Sequence, residues 1–273
     1  MLLAQSVEGD RLSRHLPLAR LTQALLSIAL LHCVFAAAGA DDRIRPASYS
    51  GEAIEGVVVA PITNAPLKGV VVVANWYLDG VGVEHPKGQV FRRSLHIAET
   101  VTDSDGHFSF SAWGPRDVPS PAKDFYRMDL QQPWLYFFRG GYYFNSLSNG
   151  SPGALRTEPR ELGPPIRSSE WNGRKMYLHR YPGSEPEYIE HLQSHGVGLF
   201  AGCNWNKVPR LAAEFIAEGE RLRNVRGSNV ILKLDDLAET YGGVVCGSPR
   251  KILHEYLVQV PRPGPAGRSS ESK

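Results

Sequence analysis

The sequence predicts a mainly β protein, an antiparallel β-sandwich followed by a short helical C-terminal region. Three observations lead there. Short β-branched runs such as Ile54–Val59 and Val70–Val73 are punctuated by turn residues. Phe108 and Phe110 alternate with His107, Ser109 and Ser111, the two-residue period of a strand with one buried face. From Glu185 the apolar residues recur instead at helical spacing.

The chain has 273 residues, and its first 40 read as a secretory signal peptide. Arg11, Arg14 and Arg20 form a basic start, Leu21–Phe35 is mostly apolar, and Ala38-Gly39-Ala40 supplies a small-x-small cleavage pattern before Asp41-Asp42. An uncleaved anchor is the alternative, although the run carries His32 and Cys33 and is marginal against the roughly 20 apolar residues of a full span. Without residues 1–40, the 30 basic and 28 acidic residues fall to 27 and 26, because Arg11, Arg14, Arg20, Glu8 and Asp10 leave. That balance gives no electrostatic footprint for nucleic acid. No later hydrophobic run is long enough for a span, so no membrane crossing is expected after cleavage, and the expected location is periplasmic or secreted.

Residues 41–50 read as a polar lead-in. The first strand is expected over 53–60, ended by Pro61, and Thr63-Asn64-Ala65-Pro66-Leu67 follows as a turn. Val70–Tyr77 is apolar almost throughout, which suits a strand covered on both faces. A third strand is expected over 90–97, with the Arg92-Arg93 pair near its start. Asp103-Ser104-Asp105-Gly106 is a tight turn in which Gly106 can take positive φ. Residues 112–132 read as a long Pro-rich loop, Trp134–Phe138 as a strand, 145–170 as an insertion and 175–179 as the closing strand.

Gly56-Val57, Pro66-Leu67-Lys68-Gly69-Val70-Val71-Val72 and Thr102-Asp103-Ser104-Asp105-Gly106-His107-Phe108 together resemble the carboxypeptidase regulatory-like domain. Leu135–Tyr142 is similar to that family's late strand, where an apolar run leads into a Gly-Tyr pair. The resemblance spans residues 50–181, with 145–170 as a departure. It implies a seven-stranded Greek-key, transthyretin-like β-sandwich. It also implies an accessory or adhesive module of an exported protein rather than a particular reaction. The Tyr-Arg-Gly-Ser signature of the hydroxyisourate hydrolases that share this fold is absent.

The helical region is expected over 185–258. A short helix covers 187–195. Pro209 opens a second, with Leu211, Phe215, Gly219 and Leu222 inward and Glu214, Ala217, Glu218 and Arg221 mostly outward. Ser228 is placed to cap a third, with Val230, Ile231, Leu234, Leu237 and Ala238 inward, and Ser248-Pro249 starts a fourth running to Tyr256. This region is too small and too modestly apolar to fold alone and is expected to pack on the sandwich. Residues 261–273 have the composition of a disordered tail. Once the signal is removed, Cys203 and Cys246 remain, as one disulfide in an oxidising compartment or as two buried thiols.

No motif commits the chain to a reaction. His96-Ile97-Ala98-Glu99 has the His-x-x-Glu spacing of zinc carboxypeptidases, but in a strand those positions point to opposite faces. Asp103 and Asp105 lack the acidic residue at position twelve of an EF-hand loop, where Gly114 stands. His191 and His195 have helical zinc spacing without the glutamate of His-Glu-x-x-His, and His179 is the least implausible third ligand. Gly-x-Ser-x-Gly and Walker-type loops are absent. Trp113, Trp134, Tyr142 and Tyr143 are the candidate ligand- or partner-binding side chains if they are exposed beside long loops. If they fill the core and the seam to the helices, they are packing residues. The expectation is a non-catalytic exported protein that needs no cofactor and binds a protein or carbohydrate. A small metal-dependent hydrolase using His179, His191 and His195 is the alternative.

Overall fold

The strand Val71–Gly80 lies at the centre of the molecule. In the computed structural model, which describes residues 46–80, 92–120, 126–128, 131–149, 166–200, 203–225 and 243–259, its side chains enter two separate cores. Val72, Ala74, Trp76 and Leu78 face one, and Val71 and Val73 face the other. A strand so placed has no polar face, which is why its sequence reads as a continuous apolar run.

Eleven strands occur among the described residues. In chain order they are β1 (Ser48–Gly51), β2 (Ile54–Val59), β3 (Val71–Gly80), β4 (Arg92–Val101), β5 (His107–Phe110), β6 (Trp113–Asp117), β7 (Tyr126–Arg127), β8 (Trp134–Phe138), β9 (Asn145–Leu147), β10 (Ile166–Arg167) and β11 (Arg174–Tyr177). One sheet runs β4-β3-β8-β9, antiparallel throughout, with β7 pairing on the end of β3. A second runs β11-β2-β5, with β2 and β5 antiparallel and β11 parallel to β2. The inward residues of both, Ile54, Val58, Phe108, Phe110 and Met176 against Val72, Ala74, Leu135 and Phe137, make one core. These seven strands are a β-sandwich. A third, small sheet, β10-β1-β6, contributes Tyr49 and Trp113 to the same core.

The Asp103–Gly106 turn forms as its residues dictate. Asp103 Oδ1 accepts the backbone N–H groups of Asp105 and His107, both at 2.9 Å. Gly106 sits at φ 72° with the Val58 carbonyl against it, leaving no room for a β-carbon. The turn does not close a hairpin: it carries the chain from β4 in one sheet to β5 in the other. The lead-in 41–50 and the loop 112–132 are less irregular than their composition suggests, since β1 arises in the first and β6 and β7 in the second. These are short or exposed strands whose pairing, not apolar period, defines them. Likewise β9 opens the 145–170 segment and β10 lies near its end, while 150–165 falls outside the described residues.

The other face of the β4-β3-β8-β9 sheet is covered by the helical region. It comprises α1 (Glu185–His195), two 3-10 turns (Val197–Phe200 and Asn204–Asn206), α2 (Pro209–Arg221), a helical turn (Gly243–Cys246) and α3 (Pro249–Gln259). Phe215 of α2 is the central contact, its ring 4.2 Å from that of Phe138 on β8 and 5.4 Å from that of Phe200. Replacing such a side chain with alanine typically costs about 3–5 kcal/mol. The described residues belong to one compact unit, Arg45–Lys273. The signal segment 1–40, the Ser228-capped helix and the 261–273 tail lie outside the described residues.

Two carboxylates, half-buried Glu99 and buried Glu218, tie the layers together. Val208, at the N-terminal boundary of α2, offers no side-chain cap, and Pro209 has no N–H to satisfy. The free N–H groups of Arg210 and Leu211 instead reach the Glu99 carboxylate on β4, at 2.8 and 3.0 Å. Glu218, expected on the outward face of α2, is buried to 4 % exposure. Its carboxylate accepts the Gly141 N–H at 3.0 Å and two hydrogen bonds from the Arg221 guanidinium, each at 3.0 Å. Arg221 also donates to Glu185 on α1 at 2.9 Å. A buried charge persists here because it is paired and hydrogen-bonded.

Candidate ligand-binding cleft

Where β3, β4 and β8 end beside α1 and the 3-10 turns, a cleft of about 520 Å³ opens between sheet and helical layer. The sheet supplies Tyr77, Arg92, Arg93, Ser94 and Tyr136, and the helical layer supplies His195, Leu199, Asn204 and Lys207. The strand period explains the floor. Tyr77 continues the alternation of Val71 and Val73 on β3, and Tyr136 that of Phe138 on β8, the residues that face the helices, and the two hydroxyls meet at 3.1 Å. Burial, foremost, pushes both phenol pKa values above the ordinary value of 10, so both are neutral hydroxyls around neutral pH. Asn75, one step further in on β3, is fully buried. Neither of its amide atoms completes a hydrogen bond of ordinary geometry among the described residues.

The cations around the cleft divide into two sets. Arg92 is held: its Nε donates to Asp79 Oδ1 at 2.9 Å, and its guanidinium lies 5.4 Å above the Trp134 ring and 5.9 Å above the Tyr77 ring. Arg93, Lys207 and neighbouring Arg116 make no ion pair among the described residues. They do feel one another. Burial first, then the Arg93 and Arg116 charges, lower the Lys207 amine pKa, and burial first, then Arg116 and Lys207, bring that of His96 down to about 4. The layers are stitched at this mouth by Asn204 Nδ2, which donates to Ser94 Oγ at 3.3 Å.

The four aromatic candidates lie in the core and at its seams. Trp113 packs edge-on to Trp76 at 5.2 Å and against His96 at 4.6 Å. Tyr142 is buried, with the Arg139 and Arg180 guanidinium groups at 5.2 and 5.3 Å from its ring. Tyr143 lies against Tyr181 and His191 at 4.8 and 5.1 Å. Trp134, stacked on Tyr136 and beneath Arg92, borders the cleft. The histidines are only partly assembled. His191 and His195 stack at 4.6 Å, but His191 Nε2 accepts the Phe144 N–H at 3.0 Å, and burial foremost lowers its pKa. His179 contributes its backbone carbonyl to the Tyr143 N–H. Among the described residues no three His, Cys, Asp or Glu side chains gather as a metal site.

Cys203 and Cys246 form a disulfide, with their α-carbons 5.2 Å apart. It ties the start of the second 3-10 turn to the end of the helical turn before α3. Among the described residues no helix is long and apolar enough to cross a membrane. Of the cleft, the sequence singled out the Arg92-Arg93 pair, His195 and, at its border, Trp134. The tyrosine pair, Asn204 and Lys207 come together only because the helical layer folds back on the sheet.

No protein-family model matches the chain, and no curated protein does. Among solved structures it is similar to 3-chlorocatechol 1,2-dioxygenase from Rhodococcus opacus 1CP, at 20 % identity over 52 % of this chain and 62 % of that one, with a TM-score of 0.24. A group B streptococcus pilus 2b backbone protein matches at 13 % identity over 48 % of this chain and 42 % of that one, with a TM-score of 0.22. Catechol 1,2-dioxygenase from Pseudomonas arvilla C-1 matches at 13 % identity over 53 % and 56 %, with a TM-score of 0.24. The chain thus spans less than two thirds of each of these structures. Likeness at this level bears on neither activity nor ligand, and the sandwich is defined by the strand pairing and the two cores.

Proposed function

We propose that the protein is a non-catalytic, exported binding protein whose ligand seat is the cleft between sandwich and helical layer. One observation carries the reading: the cleft gathers hydroxyl, amide and cationic side chains from both layers, Tyr77, Tyr136 and Arg93 from the sheet and Asn204 and Lys207 from the helical layer. Tyr77 and Tyr136 meet a ligand as neutral hydroxyls, because burial, foremost, raises their pKa values. Groups of this kind orient and hold a ligand, whereas proton transfer needs a pKa near the working pH.

The motif resemblance to carboxypeptidase regulatory-like domains supports an accessory role in an envelope-associated setting, with a protein or carbohydrate as ligand. The Cys203–Cys246 disulfide supports an oxidising compartment, periplasmic or extracellular. A titration of the isotopically labelled protein with neutral and acidic saccharides, read by NMR, tests the assignment. Shifts confined to the Tyr77, Tyr136, Asn204 and Lys207 signals are expected. Stoichiometric zinc in the purified protein, or turnover of peptide or ester substrates lost in His191→Ala and His195→Ala, would overturn it.

A further inference from the structure

We infer that the cleft recognises an acidic sugar of one or two rings, its oxyanion seated between Arg93 and Lys207 and its hydroxyls addressed by Tyr77, Tyr136 and Asn204. The inference rests on the binding reading above and adds the ligand's chemistry to it.

Charge comes first. Arg93 enters from the sheet and Lys207 from the helical layer, so the two cations line one cleft from opposite sides. Neither has a carboxylate partner among the described residues, whereas Arg92, one residue from Arg93, is neutralised by Asp79. Arg116 adds a third positive charge to the same neighbourhood, and the pKa of Lys207 is lowered by burial first and then by the Arg93 and Arg116 charges. Like charges gathered at one cleft are relieved by an anion, and a guanidinium and an ammonium on opposite walls suit a carboxylate or a phosphate ester.

Hydroxyl recognition comes second. A phenol has one donor and two acceptor sites, so the Tyr77–Tyr136 hydrogen bond consumes one hydroxyl proton and leaves the other proton and several lone pairs. Asn204 spends one side-chain N–H on Ser94 and keeps its side-chain Oδ1. Mixed donors and acceptors of this kind match ring hydroxyls. The cleft's volume of about 520 Å³ lies within the range of small-ligand sites, roughly 300–1,000 Å³, and is too small for a polymer laid lengthwise. Leu95 and Leu199 add apolar lining beside these groups.

The test is calorimetric titration of the purified protein with glucuronate, glucose 6-phosphate, glucose and inorganic phosphate. Glucuronate, glucose 6-phosphate or both should bind at least about tenfold more tightly than glucose and than phosphate alone, and the acid that binds better names the oxyanion. Affinity should fall as salt is raised from 0.05 to about 0.5 M. Arg93→Gln and Lys207→Met should each weaken binding at least about tenfold while leaving the melting temperature unchanged, Lys207 being exposed. Equal binding of glucose and the acids would overturn the acidic-sugar assignment and leave the binding reading standing. Undiminished binding in Lys207→Met, or no binding by either acid, would overturn it as well. Catalytic turnover of any of these compounds would overturn the binding reading itself.

Discussion

Glu99 shows how much one side chain can couple. It stands on β4, caps α2 through two backbone N–H groups, and is buried enough that its pKa is pushed up from 4.5 to about 7. Between those values the folded chain keeps a proton that the unfolded chain releases. The associated stability is therefore full below pH 4.5 and is lost as pH rises through 7, by up to about 3 kcal/mol. Glu214, also raised to about 7 by burial and then by Glu218, acts in the same direction. His96 opposes both: its pKa is lowered from 6.5 to about 4, so between these values the unfolded chain binds more protons and stability rises with pH. Urea unfolding at pH 5 and pH 7 separates them. Glu99→Gln should shift the pH 7 minus pH 5 difference in favour of pH 7, and His96→Gln should shift it in favour of pH 5. An unchanged difference in Glu99→Gln would mean that this carboxyl titrates normally. The opposite-face rule for His-x-x-Glu made the split between these two residues legible in the sequence, His96 turning toward Trp76 and Trp113 and Glu99 toward α2. The burial of Glu218 was not legible, because helical periodicity sorts a glutamate outward unless its partners, here Gly141 and Arg221, are known.

Among the elements, those with strong internal signals matched expectation. Trp134–Phe138 is β8, Pro209 opens α2, and Pro249 opens α3. The strands that composition hid, β1, β6, β7, β9 and β10, are short and draw their order from partners distant in sequence, as when Ser50 pairs with Ile166. The helical region carries its own constraint in the Cys203–Cys246 bridge, which spans 43 residues. Closing a loop of that length stabilises by roughly 3–4 kcal/mol on the chain-entropy model. Cys246→Ser, or reduction of the native protein, should lower the melting temperature by several degrees. Two free thiols in the mass spectrum of the purified protein would contradict the bridge.

At the scale of the molecule, three layers stack in the order sheet, sheet, helices, and the middle one serves both neighbours. Removing the helical layer would bare Val71, Val73, Phe138 and Phe144. The two cores should therefore melt together. Near-ultraviolet circular dichroism, which senses the aromatic packing, and far-ultraviolet dichroism should give coincident urea transitions, and two separated transitions would show independent domains. The layering was half visible in advance, since the apolar run Val70–Tyr77 called for cover on both faces but could not say what supplied it. The cleft was not visible, because residues such as Ser94 and Asn204 meet across a separation of 110 positions. The double burial of β3 has a further consequence for solvent access to its backbone. Its amides are bonded into β4 on one side and β8 on the other, beneath side chains from both cores. In deuterium oxide the amide protons of Val71–Asn75 should be the last to exchange, and only when both layers open at once. Phe215→Ala on the helical side and Phe108→Ala on the sandwich side should then hasten the same protons, each in proportion to its own loss of global stability.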